Sequence, residues 1–209
     1  MSLHVWLTFI VAAILISLSP GPGAISCMAS GMRFGYRRTL ANIAGMQLGI
    51  ALQLLVVGVG LGALLAASRL AFEMARGIGV AYLCYLGWQQ FRAEAGPVEI
   101  GQQSHSPGTP RALLTQGFLV NASNPKATIF LLAVLPQFID AHAPALQQYL
   151  VCMATLTVVD LIIMSGYALF AARVLRLLRE PHHLRWLNRG FGSMFMLAAG
   201  FLALFRRAT

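Results

Sequence analysis

Charge is scarce in this sequence. Only 10% of the 209 residues are Asp, Glu, Lys or Arg, the acids number 6, and 58% are hydrophobic. A soluble domain has roughly 25% charged and 45–50% apolar residues, so the balance excludes that class and indicates an integral membrane protein. Alternation of period two is missing as well, which excludes a transmembrane barrel, whose strands alternate lipid-facing and lumen-facing residues. The apolar runs are continuous and about 20 residues long, enough to cross a hydrocarbon core of about 30 Å as helix. Helices are then the only spanning structure that satisfies the backbone in lipid. Six runs can be delimited, at 5–30, 40–66, 71–91, 113–138, 147–172 and 187–205.

Other absences narrow the chemistry. "MSLHVW" has no basic n-region, and the first apolar run passes into a proline-glycine motif instead of a compact cleavage site, so the first span is expected to be retained. The 3 cysteines, Cys27, Cys84 and Cys152, lie in apolar stretches without metal-ligand spacing and read as small packing residues. All 5 histidines, His4, His105, His142, His182 and His183, fall at termini or connections. Ser17, Ser19 and Ser26 therefore have no evident base within the spans, which argues against an intramembrane hydrolase. No metal site and no cofactor is expected. "NAS" at 121–123 matches a glycosylation sequon but lies inside a span and is discounted.

Arginine dominates the charge that is present, and its placement decides what the net +9 means. The first, third and fifth connections hold Arg33, Arg37, Arg38, Arg92, Arg111, Arg173, Arg176, Arg179, Arg185 and Arg189, against Arg69, Arg76, Arg206 and Arg207 on the alternate side. That asymmetry obeys the positive-inside rule if the odd-numbered connections are cytoplasmic and both termini periplasmic. Anionic headgroups supply the counter-charge, and nucleic acid has no place in the reading. The longest polar stretch, residues 92–112, is rich in Gly, Pro, Ser and Gln and reads as a flexible cytoplasmic linker. It divides the chain into three-helix units at 1–91 and 113–209; because three is odd, the second unit threads the bilayer inverted, a known transporter architecture.

Both units open on a broken span. "SLSPGPGAIS" at 17–26 carries Pro20 and Pro22 with Gly21 and Gly23, and "VNASNPKATIF" at 120–130 carries Pro125. A proline inside a helix removes a backbone hydrogen bond and clashes with the preceding turn, at about 3 kcal/mol in water. Residues 19–23 are expected to be unwound, with a half-helix from about Gly23 whose free N–H groups and positive dipole end suit an anionic group. Pro22 has no assigned role at this level.

Ionisable groups inside the spans are few. Lys126 follows the second break and Asp160 sits mid-way through the fifth span; a charge at the bilayer centre costs about 2.5–3.5 kcal/mol, which makes each a functional candidate, with a structural salt bridge between them as the bland alternative. Glu73 and Arg76 read as a local pair near a span end. Asn42, Gln47, Asn121 and Asn124 could bind a ligand or cross-bridge helices; Asn124 is favoured for function because it abuts Pro125 and Lys126. "GMQLG" at 45–49 and "GVGLG" at 58–62 let backbones approach closely, for internal packing in preference to a dimer face.

The ordered set "SLSPGPGAI", "IAGMQLGIAL", "AYLCYLGWQQFRA", "VNASNPKATIFL…PQFI", "VVDLIIMSGYA" and "FGSMFMLAAG" resembles the LysE/RhtB family of bacterial amino-acid exporters over almost the whole chain. The likeness is strongest to the members that handle homoserine and its lactone. It implies an inner-membrane secondary exporter of homoserine, homoserine lactone or threonine-like substrates, by proton antiport; other members handle leucine or lysine. The expected substrate site comprises Ser19, Pro20, Gly21, Gly23, Gln47, Asn124, Pro125, Lys126 and Asp160. In it the half-helix N-termini and Lys126 face the carboxylate, and Asp160 faces the ammonium and couples to protons. A passive channel also uses intramembrane polar residues and stays open as an alternative, as does a homo-oligomer.

Overall fold

Proline and glycine set the helix boundaries. The computed structural model describes residues 1–67, 69–92, 108–140, 143–171, 173 and 181–204. Among them are eight α-helices and one 3-10 turn, and no strand. Helix α1 (Leu3–Leu18) is capped by Ser2, whose hydroxyl accepts from the Val5 N–H. It ends at Ser19, and α2 (Pro22–Phe34) starts with Pro22 at its first position. α3 (Tyr36–Ala67) and α4 (Arg69–Arg92) follow. α5 (Pro110–Ala122) and α6 (Pro125–Val134) each also begin on a proline. A 3-10 turn around Pro136 closes α6, and α7 (Ala145–Leu169) and α8 (Pro181–Leu204) complete the order.

Proline at the first helical turn loses nothing, because that N–H has no intrahelical partner and the ring's fixed φ already suits the helix. Pro22 thus gains its role: the unwound segment is residues 19–21, shorter than the expected 19–23, because Pro22 starts the second half-helix instead of prolonging the break. The outer bounds of the spans shift for a different reason. α3 begins at Tyr36 and α8 at Pro181, ahead of the hydropathic onsets at 40 and 187. Arg37, Arg38, His182 and His183 are poor in hydropathy yet continue the helices outward, since hydropathy marks the lipid core and helix marks hydrogen bonding.

α3 and α7 each hold 25 residues long and apolar enough to cross a membrane. α1 with α2, bent by 59°, and α5 with α6 and its 3-10 turn, bent by 49°, would raise the number of spans to four if each bent pair is one span. α4 and α8 occupy the third and sixth expected positions. α3 lies against α5, α6 and α7, and α7 against α1, α2 and α3; α4 pairs with α8 and α6. The α3–α5 crossing is the tightest: a Cβ on Gly45 would collide with the Leu114 carbonyl, and one on Gly117 with the Asn42 carbonyl. Gly49 likewise abuts Asn121 and Ala122. The "GMQLG" glycines therefore serve internal packing. In "GVGLG", Gly58 faces the Tyr149 ring of α7 while Gly60 faces open space.

Two apolar clusters form the core. One joins Phe9, Ala13, Ile50, Leu54, Phe130, Phe138 and Phe195; the other joins Ala24, Met28, Ile43, Met46, Met164, Tyr167 and Leu184. Gly31 touches the Ala168 backbone and Gly108 the Phe34 ring, so the ends of α2 and α7 and the start of α5 share one end of the bundle. The linker residues 93–107, Arg176, Arg179, Arg206, Arg207 and the side chains of Glu73 and Arg76 lie outside the described residues.

Candidate functional site at the paired helix breaks

Each break exposes backbone groups that need partners in an apolar interior. At the first, the Tyr167 hydroxyl donates to the Leu18 carbonyl at 2.7 Å. Lys126 Nζ, arriving from the second break, donates to the Ser19 carbonyl at 3.1 Å and to Ser19 Oγ at 2.7 Å. Gln90 Nε2 also donates to Ser19 Oγ, at 3.2 Å. Beyond the break, Gly21 stands at the N-cap of α2 and supplies no side-chain cap. Pro22 has no N–H, and Ile25 N–H returns to the Gly21 carbonyl at 3.0 Å. Gly23 and Ala24, both buried, lie in the first turn of α2, where helical N–H groups lack intrahelical partners and the positive end of the dipole points.

The second break is organised by amides. Asn124 Oδ1 accepts from the Lys126 N–H at 3.1 Å, an N-cap for α6. Gln53 Nε2, from α3, donates to the Asn121 carbonyl at 2.8 Å, to Thr128 Oγ1 at 2.8 Å and to the Asn124 carbonyl at 3.3 Å. Asn121 in turn donates through Nδ2 to the Met46 carbonyl at 2.9 Å, tying the break to the α3–α5 crossing. Asn121 and Asn42 thus act as cross-bridges, Asn42 by donating to Ser26 Oγ at 3.2 Å.

The breaks meet around a cavity of about 70 Å³ between the two apolar clusters. On the scale where one water needs about 10–15 Å³, this holds a handful of waters or a very small zwitterion. Its walls include Ser17, Ser19, Gly21, Gly23, Gln53, Asn124, Lys126 and Asp160, against Ile50, Met46, Phe130, Leu156 and Met164. Asp160 is 6% exposed. It accepts from Gln47 Nε2 at 2.8 Å and hydrogen-bonds Ser17. Lys126 and Asp160 face the same cavity, yet among the described residues no ion pair joins them: Lys126 is held by Ser19, and Asp160 by Gln47 and Ser17.

Of the residues expected from sequence, Ser19, Gly21, Gly23, Asn124, Lys126 and Asp160 line the cavity. Pro20 and Pro125 shape the backbone at its edge. Gln47 is absent from the wall and reaches the site through Asp160, and the Asn124 side chain is occupied as a helix cap. Ser17 and Gln53 were not anticipated as site residues. Gln53, in "GIALQLLVVG", is an intramembrane amide of the same kind as Gln47 and could have been singled out on that ground; Ser17 belongs to the break motif itself.

Comparison with known proteins finds relatives over the full length of the chain. The chain is 42% identical, over 208 residues and all of both chains, to the homoserine/homoserine lactone efflux protein of Salmonella typhimurium. It is 41% identical over 196 residues, 94% of this chain and 95% of the other, to an uncharacterized membrane protein of Vibrio cholerae. The leucine efflux protein of Klebsiella pneumoniae is 28% identical over 201 residues, 95% of this chain and 94% of its own. No solved structure matches. A LysE type translocator model matches residues 14–205, and with these full-length relatives it shows that the chain belongs to the LysE family of translocators, amino-acid exporters of the membrane.

Proposed function

We propose that this protein exports a small polar amino acid, of the homoserine or threonine type, across the bacterial inner membrane by proton antiport, with the cavity at the paired breaks as the substrate site. The observation that carries the reading is the separation of charge: Lys126 and Asp160 line one cavity without pairing, each held by neutral partners. A zwitterion bridges such a pair. Its carboxylate meets the Gly23 and Ala24 N–H groups and Lys126, and its ammonium meets Asp160. A lactone lacks the free carboxylate, so for that substrate the ammonium contact dominates. Proton coupling follows from Asp160 binding either a proton or the ammonium; protonation from the periplasm weakens its hold and favours release there.

Two inverted three-helix units, α1–α4 and α5–α8, supply the alternating access in this reading. In support, exchange of the units maps the α3–α5 contact onto α7–α1 and the α3–α6 contact onto α7–α2, though the α2–α3 and α4–α6 contacts have no comparably extensive counterpart among the described residues. The test is counterflow in proteoliposomes. Vesicles loaded with unlabelled homoserine should accumulate labelled homoserine, saturably, and an inward proton gradient should drive export. Linear, non-saturable flux without counterflow would overturn the carrier reading in favour of a pore.

A further inference from the structure

Gln53 has half of its amide accounted for and half not. The side chain is 5% exposed, and its nitrogen donates to Asn121 O, Asn124 O and Thr128 Oγ1. Two of those partners are backbone carbonyls, which can only accept, so the nitrogen has to face the second break and the amide cannot flip. Oε1 is then left buried, and among the described residues it has no hydrogen-bond partner. Gln53 also lines the cavity, where its neighbours include the apolar Ile50, Phe130 and Leu131. None of these three can donate, and on the same wall Lys126 is engaged with Ser19 and Ser17 with Asp160. A buried acceptor in apolar surroundings costs stability unless a donor reaches it, and a hydroxyl on a bound ligand supplies one.

The α-amino and α-carboxylate groups of an amino acid have their complements in Asp160, Lys126 and the α2 N-terminus. What remains for Gln53 is the substrate's side chain. Resting on the exporter reading above, we propose that Gln53 is a specificity-determining residue: its Oε1 accepts a hydrogen bond from a hydroxyl on the substrate side chain, selecting hydroxylated amino acids over apolar ones of equal size. An apolar isostere entering the cavity leaves Oε1 desolvated and unpaired, and a site built to hydrogen-bond a hydroxyl discriminates strongly against the analogue lacking it. Because the Gln53 nitrogen holds the second break, the residue that reads the side chain also positions α6.

Homoserine and norvaline form the probing pair, since norvaline puts a methyl where homoserine has its hydroxyl. Each is titrated, unlabelled, against counterflow of labelled homoserine in proteoliposomes of the wild-type protein and of Gln53→Met. Homoserine should inhibit the wild type at a concentration at least about fivefold below norvaline, the lower bound for an unpaired buried acceptor. In Gln53→Met the ratio should fall to about one, whatever the change in absolute inhibition that loss of the Nε2 hydrogen bonds brings. Equal inhibition by both in the wild type overturns the proposal, and does so even if Gln53→Met fails to fold; retention of the wild-type ratio in a functional Gln53→Met overturns it too. Absence of counterflow with either compound overturns the exporter reading and this inference with it, a pattern distinct from equal inhibition.

Discussion

Asp160 is the one acidic side chain among the residues lining the cavity, with Lys126 the one basic side chain. Two amide or hydroxyl partners, Gln47 and Ser17, hold its carboxylate without neutralising it. In the proposed antiport, Asp160→Asn loses both the charge that would attract an ammonium and the oxygen that would take a proton. Hydrogen bonds to charged groups contribute about 1.5–3 kcal/mol, so half-saturation for homoserine should rise by about 10- to 100-fold. Transport should also lose its response to an imposed pH gradient while counterflow at high substrate persists. Unchanged gradient-driven export by Asp160→Asn would dispose of the coupling role. Pro22 offers a milder case. Its pyrrolidine ring pre-sets the first turn of α2, and Pro22→Ala should lower stability by about 0.4–1 kcal/mol with counterflow intact, read by thermal unfolding in detergent. Its place at the helix start could not be told from its spacing to Pro20, because the pattern "SPGPG" fits a long unwound segment and a short one equally well.

At the scale of elements the α3–α5 crossing governs the site, since Met46, Asn121 and Gln53 hang from it. Its glycines were legible as small residues in "GMQLG", but a spacing of four says only that one helix face is smooth. It does not say which neighbour covers that face, and Gly117 on α5 carries no such pattern. The glycines separate into two kinds once the neighbour is known. Gly117→Ala places a methyl against the Asn42 carbonyl and backbone on a facing helix, so α3 and α5 have to separate, and overpacking of this kind costs about 1–3 kcal/mol. Gly60→Ala, with no atom within 4 Å, should instead stabilise by up to about 1 kcal/mol through helix propensity. Opposite shifts of unfolding temperature are the expected outcome, and equal shifts would contradict the packing at the crossing. The breaks themselves were legible because proline cannot continue a helix. That Lys126 crosses from one break to the other was not, because a side chain's reach depends on how the two halves pack.

For the whole molecule, hydropathy located the helices within a few residues but not how they face one another, since apolar lipid and apolar protein leave the same imprint on a sequence. Arginine carries the missing direction. Arg33, Arg37 and Arg38 flank the α2–α3 turn, and Arg173, Arg185 and Arg189 flank the end of α7 and the start of α8. The contact of Gly31 with Ala168, and the packing of Leu184 in one cluster with Ala168 and Ala171, draw those two groups to one end of the bundle. Arg111 opens α5 beside Gly108, which touches Phe34 at the same end. By the positive-inside rule and the anionic lipid of the inner leaflet, the proposed orientation puts this positively charged end in the cytoplasm. A green fluorescent protein inserted within 93–107 should therefore be fluorescent, and alkaline phosphatase fused after Thr209 should be active. The reverse pair of results would turn the molecule over in the membrane, and with it the side from which the proposed antiport would draw its proton.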